Sequence, residues 1–491
     1  MPVSDTFALK GGRMLDTPKF GSPRAAESAK APKEIRRLAW HSSIQHETSV
    51  TSALRTARGS TLRKKASAKQ AAPLKAAPRK KTVVATKASA PLRAGISSSS
   101  PLGMLALYLA AQWRASGRDG VVFLAENESR AERLGSIIPV IEPACDVLVY
   151  PRLNTLPFDQ LEPSRDIAGR RSSVLRRLAG TKKPILLITT AEAMMELLPL
   201  PTNWSRIGFQ LRTGAIYSEA DLEARLKALG YDLDDSPDYP GGVLFHGNTF
   251  EIFPAGALGP LRIEHSGGRI RRIAAINPMD QEVISETNEL FIDPMSERLA
   301  FKDRARKRSS LFDYCSRAKW IADSAVPRHA DTWLSTIEDA AARGERDRAY
   351  LSRREWDQAA KKITLLAPTV PFRATPEFYK ASSPRKALRA FIEEAQRGDA
   401  RVVFVAAVES DLRLMARMSA AKAECVPDWA HATARGRRQA ALLAGFDAGF
   451  IVPGKKPLVV ITAADVLGSR AHQPQPTNWA WTPGFEAGDL P

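Results

Sequence analysis

Apolar residues in the middle of this chain come in two alternating rhythms. Leu102–Trp113 repeats them at helical spacing, and residues 120–125 carry the continuous apolar run Val121-Val122-Phe123-Leu124, which predicts a short buried strand. The same alternation continues with a helix over 129–138, a strand over 146–150 and a helix over 164–179. A strand over 184–189 and a helix through Leu197 complete the set. Strands alternating with helices imply a parallel sheet covered on both faces. In the helix opened by Ser164, the residue Asp166 suits the positive end of the dipole. Ile167, Val174, Leu175 and Leu178 share one face there, and Arg170, Arg171, Arg176 and Arg177 are expected to project elsewhere.

The period changes after about residue 205. Ser218-Glu-Ala-Asp221 reads as a capping box ahead of a helix that aligns Leu222, Leu226 and Leu229 and stops at Gly230. Strands are expected over 243–253, 261–265 and 269–276, with Gly267-Gly268 as a two-residue hairpin turn. This is a small α+β unit with an antiparallel sheet. Residues 291–374 are helix-rich and charged, and the stretches 338–343 and 347–362 read as solvated helices. A second α/β unit follows. It has a helix over 383–397 (Leu388, Phe391 and Ile392 on one face), a strand over 401–406, a helix over 410–421 and a strand over 458–462. The expected division is therefore 1–95, 96–204, 205–290, 291–374, 375–470 and a tail over 471–491.

Composition changes the picture mainly at the N-terminus. The chain has 491 residues and a formal charge of +19. Residues 1–100 hold 20 Lys and Arg against 5 Asp and Glu, and the rest of the chain holds 52 against 48. The first 95 residues, rich in Ala, Lys, Pro and Ser, read as disordered. Arg63, Lys64 and Lys65, with Arg79, Lys80 and Lys81, either contact nucleic-acid phosphates or only solvate the tail. Cys145, Cys315 and Cys425 lack metal or disulfide spacing and fit a reducing cytoplasm. No apolar run reaches the length of a membrane span.

Catalytic constellations are not found. The stretch Leu92–Gly103, where a phosphate loop would lie, has serines but no Gly-Lys-Ser/Thr. Gly449-Phe-Ile-Val-Pro-Gly454-Lys455-Lys456 comes near. It lacks the magnesium-binding hydroxyl at Lys456 and leads into a strand, where a phosphate loop would lead into a helix. No metal-ligand cluster accompanies His246 or His265.

Several motifs nonetheless stand in a distinctive order. Asn154-Thr-Leu-Pro-Phe-Asp159 is followed by Glu162-Pro-Ser164 and Gly169-Arg-Arg171, and later by Glu251-Ile-Phe-Pro254, Leu261-Arg-Ile263 and Phe291–Ser296. This order resembles the N-terminal module of the bacterial transcription-repair coupling factor family (Mfd), itself similar to UvrB. The resemblance implies an α/β fold: a degenerate RecA-like parallel-sheet domain, an inserted UvrB-interaction-type α+β domain, and a second α/β domain. It implies docking to a UvrA-like excision-repair protein. The family's two partner arginines and one aromatic fall at His246, Arg262 and Ser266, so Arg262 matches and the other two depart. ATP serves the full-length family, but the residues here support no cofactor. The chain stops at Pro491, before the family's RNA-polymerase-binding and helicase domains, which implies a shortened product and makes RNA polymerase an unexpected partner.

Three functions compete. One is a non-catalytic module of nucleotide excision repair that docks to a UvrA-like partner, with DNA contact through the tail. The second is part of an ATP-dependent DEAD/DEAH-type DNA helicase or translocase whose motor lies elsewhere. The third is a decayed fragment without binding function.

Overall fold

The structure is a computed structural model that describes residues 99–159, 161–233, 236–301, 307–343, 349–366 and 372–472. The basic tail, with Arg63, Lys64, Lys65, Arg79, Lys80 and Lys81, lies outside the described residues. So do residues 92–98 and 473–491.

The chain enters through α1 (Leu102–Ser116), β1 (Val121–Leu124), α2 (Glu128–Ile141), β2 (Asp146–Val149), α3 (Arg165–Gly180), β3 (Ile185–Thr189) and the single turn α4 (Ala191–Met194). The helix expected through Leu197 therefore ends early. Leu198 instead pairs with Ser309, and Glu196 with Tyr350, as isolated bridges. The inserted unit follows, with β4 (Phe209–Arg212), α5 (Glu219–Ala228), β5 (Asp232–Leu233), β6 (Gly242–His246), β7 (Thr249–Ile252), β8 (Leu261–Ser266), β9 (Arg269–Ile276), β10 (Val283–Thr287) and β11 (Glu289–Ile292). The chain then returns through α6 (Leu311–Tyr314), β12 (Lys319–Ala322), α7 (Val326–Ala342), α8 (Arg353–Ala360) and β13 (Thr364–Leu365).

Five of these strands form one parallel sheet in the order β13-β12-β1-β3-β2. The four side chains of β1 show why its sequence is uninterrupted apolar. Val121 and Phe123 enter one core with α1 and α2, while Val122 and Leu124 enter a second core with α3 and α7. A strand buried on both faces has no polar face to display.

The inserted unit is a six-stranded sheet in the order β10-β9-β8-β7-β6-β5, antiparallel except for β5–β6. Its inner face (Val243, Phe250, Ile252, Ile263 and Ile273) packs on Leu222 and Leu226 of α5 and on Leu229 at its C-cap. A separate ribbon, β4 against β11, joins the unit's entry and exit. The expected single strand over 243–253 is a hairpin, because Gly247-Asn248 turns the chain between β6 and β7. The Gly267-Gly268 turn stands as expected, with φ of +55° and +75°, values that glycine adopts without steric cost. Ser218 occupies the N-cap position of α5, yet its hydroxyl makes no capping hydrogen bond, and the same is true of Ser164 before α3. The Ser164 backbone N–H donates to Asn154 instead.

The last unit comprises β14 (Arg373–Ala374), α9 (Pro384–Arg397), β15 (Arg401–Ala406), α10 (Glu409–Ser419), β16 (Glu424–Val426), α11 (Trp429–Ala432), β17 (Gln439–Leu443), β18 (Phe450–Val452), β19 (Leu458–Thr462) and α12 (Ala463–Leu467). Its mixed sheet runs β14-β18-β19-β15-β17-β16. One face packs on α9, α10 and α12. The other shares a continuous core with α1 and α2, through Val403, Val405, Trp429, Phe446 and Phe450.

Candidate partner-docking site

Three positions were singled out by sequence, and the strand register places them on one face. Residues 244 and 246 of β6, 249 and 251 of β7, and 262, 264 and 266 of β8 alternate away from the inner core. His246 pairs with Thr249, which pairs with Glu264, two residues from both Arg262 and Ser266. His246 and Ser266 are exposed. Arg262 is half-buried, and its guanidinium is held: Nε donates to Glu251 at 2.8 Å and Nη2 lies 2.7 Å from the same carboxylate and also meets Gln281. Nη1 carries no hydrogen bond among the described residues. Arg272 is held in the same way by Glu264 and Glu286. The outer face thus carries two sets of paired charges, of the exposed kind that contributes little to stability.

This sheet is bolted to the parallel-sheet unit by α3. Gly169 faces the Pro254-Ala255-Gly256 turn so closely that an added Cβ would lie 3.1 Å from the Ala255 Cα. Arg165 donates to the Gly230 carbonyl at 2.8 Å and the Pro240 carbonyl at 3.0 Å, and pairs with Asp232. Arg176 pairs with Asp293 and lies over the Phe291 ring at 4.0 Å.

Arg171 corrects the sequence reading most sharply. It was expected to project away from the apolar face, but it is wholly buried. Nη2 donates to Glu196 at 2.5 Å and to Glu297 at 2.9 Å, Nε donates to Glu297 at 3.1 Å, and Nη1 donates to the Pro151 carbonyl at 2.8 Å. Its guanidinium stacks 4.4 Å over Tyr150. Two carboxylates share one cation there. Burial, only partly opposed by Arg171, raises the Glu196 pKa to about 7.

With the clamp and the outer face described, the comparisons bear on the same residues. The family model of the UvrB interaction domain matches residues 209–297. The match runs from the first residue of β4 past the last of β11. Residues 209–297 are a UvrB interaction domain. The chain is also similar to the transcription-repair-coupling factor of Bacillus subtilis (strain 168), 24% identical over 177 residues, which is 36% of this chain and 15% of that protein. The same protein of Myxococcus xanthus is 24% identical over 213 residues, covering 42% of this chain and 17% of its own length. UvrABC system protein B of Methanococcoides burtonii (strain DSM 6242 / NBRC 107633 / OCM 468 / ACE-M) is 30% identical over 118 residues, 23% of this chain and 18% of that one. The chain thus spans less than a fifth of each relative.

Outside the UvrB interaction domain, the nucleotide position of an α/β sheet can be tested directly. Ligands of such sheets sit beyond the carboxyl ends of the strands. Here the ends of β1 and β12 are joined by an internal pair, Arg130 Nε to Asp323 at 2.9 Å, with the Glu126 N–H donating to the same oxygen at 3.1 Å. At the start of α1, the Leu102 N–H donates to the Asp447 carboxylate at 2.7 Å. A phosphate at that helix start would meet the Asp447 carboxylate, which already takes the Leu102 N–H. Gly449–Lys456 is β18 and the turn into β19, an antiparallel hairpin that leads into a strand and not into a helix. No helix among the described residues is long and apolar enough to cross a membrane.

Proposed function

We propose that this chain is a non-catalytic, Mfd-like or UvrB-like module of nucleotide excision repair that docks to a UvrA-type protein through the outer face of its UvrB interaction domain. The observation that carries the reading is the convergence of His246, Arg262 and Ser266 on one polar face, with Arg262 oriented by Glu251 and Gln281. An arginine already held in one rotamer loses little entropy on binding, which is what an interface anchor requires. On this reading residues 96–204 and 291–374 are the mount, 205–290 the docking head and 375–470 a spacer. The basic segments around Arg63–Lys65 and Arg79–Lys81 add salt-dependent contact with DNA.

The test is a calorimetric titration of the full chain against the UvrA-type protein of the same organism, with Arg262→Ala alongside. The reading expects micromolar or tighter binding that weakens on substitution. No heat up to about 100 μM, equivalent to binding weaker than about −5.5 kcal/mol, refutes it.

A further inference from the structure

The UvrB interaction domain has a pocket of about 290 Å³ at the end of its sheet where β6 turns into β7 and β8 into β9. Its walls are Phe245, Phe250, His265, Tyr217 and Leu222, and Glu219 stands at the rim. Phe245 and Phe250 stack with centroids 5.2 Å apart, and His265 tilts against Phe250 at 6.3 Å. The Tyr217 hydroxyl already donates to the Gln210 carbonyl at 2.7 Å, so that residue offers the pocket its ring. Phe245 and His265 point to the opposite face of the sheet from their chain neighbours His246 and Ser266, so the pocket lies round the hairpin ends from the face described above.

We propose that this pocket receives an arginine side chain from the docking partner. The proposal rests on the docking reading above and names the chemistry of one contact within it. Three facts favour a cation. Aromatic faces attract a guanidinium, and arginine stacks flat on them. Glu219 is exposed and has no ion-pair partner among the described residues. The domain's other acidic groups near its arginines are already matched: Glu251 to Arg262, Glu264 and Glu286 to Arg272, Glu289 to Arg212 and Asp221 to Arg225. The carboxylate at the rim therefore lacks a cation that the partner can bring. A guanidinium seated in the pocket would pair with that carboxylate through its N–H donors.

The experiment uses the full chain and the UvrA-type protein of the same organism, with Glu219→Gln, Glu219→Lys, Phe245→Leu and Arg262→Ala. Far-UV circular dichroism checks that each variant is folded. Glu219→Gln and Phe245→Leu are expected to weaken binding about tenfold each, in the range of a desolvated cation–π contact, and Glu219→Lys to weaken it more than Glu219→Gln. If Arg262→Ala weakens binding while both Glu219 variants match the wild type, the docking face stands and the arginine assignment falls. If Phe245→Leu alone weakens it, the occupant is apolar, and the assignment falls again. If the Glu219 variants bind more tightly, the carboxylate opposes the partner, which also overturns it. A wild-type chain that does not bind overturns this proposal and the docking reading together.

Discussion

Replacing Arg171 with methionine tests the clamp at its most buried point. The substitution keeps the aliphatic stem and removes the cation that Glu196 and Glu297 share. It takes from both carboxylates and the Pro151 carbonyl the donors of Arg171, leaving Glu297 only the Tyr150 hydroxyl at 3.2 Å and Glu196 a backbone N–H from Leu153. Breaking a buried pair by removing one partner costs about 3–5 kcal/mol, because the other charge stays desolvated. Glu196→Gln should do the opposite. The amide oxygen can still accept from Arg171, and one of two competing negative charges is gone. The pH dependence follows in sign. A carboxyl whose folded pKa is raised to about 7 holds a proton that the unfolded chain has already released above its ordinary value of 4.5. The folded state therefore binds more protons between those two values, and stability falls as pH rises through that window, by up to roughly 3 kcal/mol for this group. Below the ordinary value the group contributes no difference, and above about pH 7 the loss is complete. Urea unfolding followed by tryptophan fluorescence at pH 5 and pH 8 measures all of this. The wild type should be less stable at pH 8 on account of this group, Glu196→Gln should flatten the slope, and Arg171→Met should lose about 3–5 kcal/mol at pH 8. An Arg171→Met loss under 1 kcal/mol, or an equal loss in Glu196→Gln, would refute the reasoning.

Two smaller predictions concern the framework. Ser352 forms a complete capping box with Glu355 at the start of α8, whereas the Ser218 hydroxyl makes no such bond. Ser352→Ala should therefore cost about 1 kcal/mol and Ser218→Ala under about 0.5, both read from urea midpoints. Cys425 is exposed, while burial pushes the thiol of Cys315 up to about 12 and that of Cys145 higher still. A thiol reagent such as Ellman's should accordingly titrate one group per native chain at pH 8 and three after denaturation. A second rapidly reacting thiol would show that one of the two cores opens readily.

The elements legible in the sequence were those whose pattern repeats locally. The run Val121–Leu124 could be read as a buried strand because both of its faces meet a core. Gly267-Gly268 could be read as a turn because its backbone angles demand glycine. The role of Arg171 was not legible, since a charged residue is expected outside and its partners stand 25 and 126 residues away. The strand β10 escaped for a different reason. Val283 and Ile284 are exposed on it, so it has no inward face to set a period, and only its backbone pairing with β9 makes it a strand. His246, Arg262 and Ser266 were singled out by resemblance, and only the register of β6, β7 and β8 puts them on one face. The pocket was not legible either, because its walls come from both ends of two hairpins and from the first turn of α5.

The β4–β11 ribbon has a consequence for how the chain is made. During synthesis β1, β2 and β3 leave the ribosome first, but the strand that completes the other side of β1, β12, comes only after the whole UvrB interaction domain. Until then one edge of β1, apolar along its full length, has no strand beside it. A nascent chain is exposed to misassembly at such an edge. Pairing of Phe209–Arg212 with Glu289–Ile292 brings the exit of the insert back beside its entry. Weakening the ribbon should therefore show first as aggregation during expression, before any loss is seen in the finished protein.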